Sequence, residues 1–198
     1  LSVRVVGEIN ADKLDSEKKA TSIVEENFAK HKPSQYFAAT LDNKTVSHAR
    51  TMHLQESAAR LLNAPLKNVS IKVFQAKATG VESGRRLYGE IAAIKAQAAN
   101  GSLHNPPIPR LVSLQAKIVA ENPSFTRIFY AIKETPQKQP YVIALRAIQT
   151  SDFLTAKVTE IPWATLNETA SRILEACRNV SAVYYDVTTK PPATVEME

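Results

Sequence analysis

Apolar residues recur along this chain at two alternating periods, one near 3.6 and one near 2, which predicts interleaved helices and strands. Leu1 to Val6 reads as a strand ended by Gly7, and Asn10 or Asp12 can cap the next element. About Ala11 to Ala29 forms an amphipathic helix, with Ala20, Ile23, Val24 and Phe28 inside and Lys13, Glu17, Lys18 and Glu25 outside. Pro33 lies just past its end, and Gln35 to Leu41 is a strand closed by Asp42, Asn43 and Lys44. A second helix covers Thr51 to Leu62, carrying Leu54, Ala58, Leu61 and Leu62 on one stripe until Pro65 stops it. Val69, Ile71 and Val73 alternate with polar residues as a strand, and Gly80 to Arg86 reads as a glycine-bounded loop before a strand from Leu87 to Ile94. The stretch from Ala98 to Pro107 is rich in turn residues and is expected to be exposed.

The second half repeats this pattern. Ile91 to Ala96 is matched 54 residues further on by Leu145 to Thr150. Each is followed by an Ile-Pro pair, Ile108-Pro109 and Ile161-Pro162, which sets Pro in the first turn of a helix. Each helix then leads to a strand of β-branched and aromatic residues, Thr126 to Ile132 and Ser181 to Val187. The fold class expected is therefore α+β, as two similar two-layer modules, each a small mostly antiparallel sheet with helices on one face. Nesting places residues 1–43 plus 137–198 in one module and 44–136 in an inserted one, with Gln137 to Pro140 carrying the chain back.

Composition adds limits rather than function. The 198 residues, 44% hydrophobic and 22% charged, suit one good core or two small ones. No run approaches the ~18 apolar residues of a membrane span. The chain begins on Leu1 inside a strand, so a piece of a longer protein is expected. A formal charge of +6 favours anionic partners. The single cysteine, Cys177, rules out an internal disulfide and fits the reducing cytosol. It falls on an apolar helix face, as a buried small hydrophobe rather than a nucleophile. His31, His48, His53 and His104 lack metal-ligand spacing, so neither a metal nor a catalytic residue is assigned.

The C-terminus is unusual in its chemistry. After the strand comes Thr188-Thr189-Lys190-Pro191-Pro192-Ala193-Thr194-Val195-Glu196-Met197-Glu198. Its two prolines exclude helix and central strand and favour extended polyproline geometry. Lys190 is a point charge suited to phosphate, and Glu196 and Glu198 can accept hydroxyl or N–H donors. By physics alone such an end would fray. Its residue order and its distance from the chain end, however, resemble the ending of glutamine-hydrolysing GMP synthases, Lys-Pro-Pro-(Ala/Gly)-Thr-Ile-Glu-Trp-Glu, with Met197 where Trp is usual.

The resemblance continues elsewhere. Leu1-x-x-Arg4-x-x-Gly7-Glu8-Ile9 is similar to the start of that family's C-terminal dimerisation domain. Ser34 to Ala38 resembles its Trp-Gln-x-Phe-Ala strand, and Ala144 to Ile148 followed by Ser151-Asp152-x-x-Thr155-Ala156 resembles its Ala-Leu-Arg-Ala-Val…Asp-x-Met-Thr-Ala. Residues 44–136 look like the extra subdomain of eukaryotic-type members. Within them Gly80, Val81, Arg86 and Tyr88 agree with a Gly-Val-Gln-Gly-Asp-x-Arg-x-Tyr loop, whose central residues are replaced here by Glu82, Ser83 and Gly84. The resemblance implies that Arg86 holds the phosphate of XMP, in some members across a homodimer. It further implies that Lys190 and Glu196 contact XMP and that Gln35 lies near its base or ribose. In such enzymes a glutaminase domain frees ammonia and an ATP-pyrophosphatase domain, using ATP and Mg²⁺, adenylates XMP so that ammonia can displace AMP. Neither catalytic motif occurs here, so this piece is expected to bind no cofactor and to supply XMP binding and dimerisation in the cytosol. Two other readings are a scaffold that only dimerises and a basic nucleic-acid-binding module using Tyr130, Tyr184 and Tyr185 as a stacking platform.

Overall fold

The helices start and stop where the local chemistry directs. The structure, a computed structural model, describes residues 4–82, 84–152 and 154–197. Helix α1 (Ala11–Phe28) begins at Asn10, whose Oδ1 accepts the Lys13 amide at 2.8 Å, so Asn10 is the cap rather than Asp12. It ends through a short 3₁₀ turn and the left-handed Lys32. Helix α2 (Thr51–Leu62) stops at left-handed Asn63. Helices α3 (Ile108–Glu121) and α4 (Trp163–Ala176) follow Pro107 and Pro162, where a missing N–H costs nothing. Among the described residues no helix is long and apolar enough to cross a membrane.

The strands are β1 (Gln35–Asp42), β2 (Thr45–Val46), β3 (Val69–Glu82), β4 (Arg85–Ala96), β5 (Phe125–Glu134), β6 (Tyr141–Gln149), β7 (Lys157–Val158) and β8 (Val180–Asp186). Two expectations change. Of the first expected strand, Val5 makes only an isolated bridge to Thr40, while Leu1, Ser2 and Val3 lie outside the described residues, as do Ser83, Phe153 and Glu198. The stretch from Gly80 to Arg86 is not a loop: β3 runs to Glu82, β4 restarts at Arg85, and Val81 pairs with Arg86 in a long hairpin. Gly80 serves close packing there, since a Cβ would meet the Thr126 methyl and would lie 2.8 Å from the Pro192 carbonyl.

The α+β class holds, and the two expected sheets are halves of one. Its order is β1-β6-β8-β5-β4-β3-β2, with β7 beside β6. Outward from the antiparallel β8–β5 pair, the order is palindromic: β6–α4–β8 and β4–α3–β5 are both parallel crossovers, flanked by antiparallel β1 and β3. Pairing β5 with β8 removes two open edges that separate sheets would expose. All four helices pack on one face, where Val24, Phe28, Leu54, Leu62, Leu111, Ile118, Leu166 and Ile173 share a core with one side of the strands.

Among the described residues no helix covers the other face, yet it is buried because the sheet curls. Only Asn43 and Lys44 separate β1 from β2, which lie at opposite ends of the strand order. The three residue steps from Asp42 to Thr45 span at most about 11 Å, so the edges must come together. β1 and β3 indeed approach to within 8 Å between Cα atoms. Small residues (Ala39, Ala78, Ala93, Ala131, Ala144, Ala182) line this concave face and leave room for Phe74, Phe129 and Tyr184, whose ring centroids stand 6.0–6.4 Å apart.

Lys13 and Glu17, expected on the exposed side of α1, are both fully buried. Lys13 Nζ donates to the Val6 carbonyl at 2.6 Å and pairs with Asp42 at 3.0 Å, fastening the N-terminal segment to β1. The Glu17 carboxyl oxygens accept hydrogen bonds from Thr21 at 2.8 Å and Thr40 at 2.9 Å. Burial outweighs these bonds and raises its pKa to about 8.

Between the ordinary carboxyl value and about 8, the unfolded chain has therefore released this proton while the folded chain keeps it. Raising the pH across that window favours unfolding, by about 1.4 kcal/mol per unit at most. Chemical denaturation at pH 5 and pH 8 should show Glu17→Gln gaining stability relative to the parent sequence at the higher pH; an unchanged difference contradicts the assignment. Gly80→Ala should lower the melting temperature and speed hydrogen exchange in residues 188–197, because the added methyl displaces Thr126 or Pro192. Unaltered exchange there would exclude this packing.

Candidate functional site

One end of the curled sheet is closed by the C-terminal segment. Beyond β8, Thr188 Oγ1 accepts the Ile128 amide at 2.7 Å and its own amide donates to Asp186 Oδ1 at 3.0 Å. Lys190 then exchanges backbone bonds with Ala156 at 2.9 and 3.0 Å. The Pro-Pro step is not extended polyproline. The Lys190–Pro191 and Pro191–Pro192 bonds are cis, and the Ala193 amide donates to the Thr189 carbonyl at 3.0 Å. The chain next runs beside β3, where Val81 donates to the Pro192 carbonyl at 2.7 Å and Thr79 to the Met197 carbonyl at 2.9 Å. Up to Met197 this segment bonds to both halves of the sheet, unlike a free end.

Beneath it lie two buried guanidinium groups sharing one carboxylate. Asp186 Oδ2 accepts from Arg146 Nη1 at 2.7 Å and from Arg127 Nη1 at 3.1 Å, with all three side chains fully buried. Most of the remaining donors point at the tail. Arg146 Nε donates to the Val195 carbonyl at 2.9 Å, Nη2 to the Thr194 carbonyl at 2.9 Å and Nη1 to the Thr188 carbonyl at 3.1 Å. Arg127 Nη2 donates to Thr194 Oγ1 at 2.8 Å and to the Glu196 carbonyl at 2.5 Å. Burial and the neighbouring Arg146 lower the Arg127 pKa to about 9, which leaves it a cation at neutral pH. The Arg127 Nε and Glu196 Oε2 atoms are buried without a hydrogen-bond partner.

The four residues singled out for binding fall around this end. Lys190 is half-buried beside Ala156. Glu196 has its carbonyl on Arg127 and its carboxylate 3.6 Å from Arg4 Nε. Arg4 in turn covers the Phe37 ring at 4.6 Å, and strand alternation puts Gln35 on that same face of β1. Arg86 is exposed near the tip of the β3–β4 hairpin, opposite Val81, which bonds to Pro192. The backbone thus brings the Arg86 hairpin and the Lys190 segment to one end of the sheet. An apolar groove of about 380 Å³ lies between them, lined by Val81, Leu87, Val119, Pro191 and Pro192. Met197, which stands where the resembling ending has Trp, is fully buried in the concave core.

Other sequence readings also resolve. Cys177 is buried just past α4, and burial raises its thiol to about pKa 11, unsuited to a nucleophile. Tyr130, Tyr184 and Tyr185 are all buried, which removes the stacking platform proposed for nucleic acid. Arg127, Asp186 and Thr194 had no assigned role, and Arg146 only a place in a resembling segment. A signal was present: a lone Arg in Thr126-Arg127-Ile128-Phe129 and a lone Asp in Tyr185-Asp186-Val187 interrupt apolar strands, and a charge there must be paired.

Residues 136–197, which contain β6, α4, β8 and the tail, match the family model of the GMP synthase C terminal domain. The whole chain is 35% identical over 201 residues to a subunit of the glutamine-hydrolysing GMP synthase of Sulfurisphaera tokodaii, covering 100% of this chain and 47% of that protein. It is 33% identical over 198 residues to the same subunit from Saccharolobus solfataricus, covering 100% of this chain and 46% of that protein. A 58-residue stretch, 29% of this chain, is 55% identical to 11% of the glutamine-hydrolysing GMP synthase of Methylibium petroleiphilum. The chain therefore spans about half the length of the two relatives that it matches from end to end. The tail, its two supporting strands and the intervening helix all lie inside the matched segment, so residues 136–197 carry a GMP synthase C terminal domain and the chain as a whole is similar to GMP synthase subunits.

Proposed function

We propose that this chain supplies the nucleotide-holding and subunit-pairing part of a cytosolic glutamine-hydrolysing GMP synthase, which converts XMP to GMP with ATP and ammonia. The observation that carries this reading is the anchored tail, which sets Lys190 and Glu196 at the same end of the sheet as the Arg86 hairpin. A nucleotide phosphate is a dianion, and Arg86 and Lys190 offer it charge-assisted hydrogen bonds. Glu196 and Gln35 offer acceptors and an amide for hydroxyl and base groups. A tail closed over the nucleotide also keeps water from an adenylylated intermediate formed in the ATP-pyrophosphatase part of the parent, where ATP and Mg²⁺ bind. In this reading residues 44–136 are an inserted module, and a homodimer brings the Arg86 hairpin of one subunit toward its neighbour.

Steady-state kinetics of the full-length parent enzyme tests the reading. Lys190→Gln and Arg86→Gln should each raise the apparent KM for XMP about tenfold or more, since a charge-assisted hydrogen bond is worth roughly 1.5–3 kcal/mol. The KM for ATP should stay within about twofold, because the ATP site is elsewhere. A domain that only pairs subunits would leave both values unchanged, and that result would refute the proposal.

A further inference from the structure

We infer that Arg146 and Arg127, bridged by Asp186 and completed by Thr194, are positioning residues that hold the C-terminal segment in its nucleotide-receiving shape. The inference deepens the function proposed above and rests on it. None of these side chains touches the nucleotide in this reading. Arg146 donates to three tail carbonyls, at Thr188, Thr194 and Val195, which lie on both sides of Lys190-Pro191-Pro192. A single planar group therefore fixes the two feet of the loop that presents Lys190. Arg127 takes the next carbonyl, at Glu196, and so sets where that carboxylate begins. Thr194 Oγ1 links Arg127 to β3, standing 2.8 Å from Nη2 and 2.9 Å from Thr79 Oγ1. The tail covers charges that could not remain buried without its carbonyls. Ordering the tail and satisfying the arginines are thus one event.

This coupling predicts an effect on nucleotide affinity that exceeds the effect on fold. Lys in place of Arg146 keeps one charge for Asp186 but cannot reach three diverging carbonyls. In the full-length enzyme, Arg146→Lys should raise the XMP KM about tenfold while the ATP KM holds. Thr194→Val, similar in shape, removes only the hydroxyl link and should raise the XMP KM severalfold with a small change in melting temperature. Ile173→Val, a core change on α4 away from the tail, supplies the control: it should cost melting temperature without moving the XMP KM. Should Arg146→Lys fail to fold, Thr194→Val decides alone. An XMP KM that is unchanged in Thr194→Val, or that follows melting temperature alike in all three variants, would overturn the inference. If Lys190→Gln raises the XMP KM while Thr194→Val does not, only the positioning role fails. If Lys190→Gln has no effect, the function proposed above fails first.

Discussion

Two cations and one carboxylate cannot sit inside a sheet of Phe, Tyr, Ala and Val without further partners. Arg127, Arg146 and Asp186 are fully buried, and Asp186 alone leaves most of the guanidinium N–H groups unmet. The missing acceptors come from carbonyls at Thr188, Thr194, Val195 and Glu196. Removing one member of such a cluster typically costs about 3–5 kcal/mol, because it strands a buried charge. The requirement makes the C-terminal segment part of the interior, although ends of chains usually fray.

That requirement is set up by the curvature of the sheet. A two-residue link between β1 and β2 pulls opposite edges together, and a lining of alanines allows the bend. The concave face becomes a second core that, among the described residues, no helix covers, so its open end needs a plug. Met197 and Val195 supply apolar filling, while the arginines bind the backbone. The internal repeat contributes too: the tail bonds to Ala156 from one half and to Gly80 from the other. It holds the two halves together at the end where Lys190 is displayed.

Much of this was legible in the residues. Period and turn chemistry located all four helices, because their stripes and their Pro or Asn boundaries are local properties. The repeat located β4 with β6 and β5 with β8, because duplicated sequence implies duplicated packing. The order of residues at the chain end pointed to one family, and that resemblance, with the segments around Gln35 and Arg86, singled out Lys190, Glu196, Gln35 and Arg86 as expected nucleotide contacts.

What only the tertiary structure decided concerns partners distant in sequence. Lys13 and Glu17 read as solvated on a helical wheel, yet β1 and the N-terminal segment cover them. The hairpin through Gly80 read as a loop, because glycine in a strand shows its use only when Thr126 and Pro192 press against it. The lone charges Arg127 and Asp186 asked for partners within their apolar strands, but nothing local said that Arg146 shares the same carboxylate. The residues themselves indicated the helices, most of the strands, their duplication and the family resemblance, all of which depend on local pattern. Which charges are buried, and that the tail satisfies them, depended on where the curled sheet brings distant residues together.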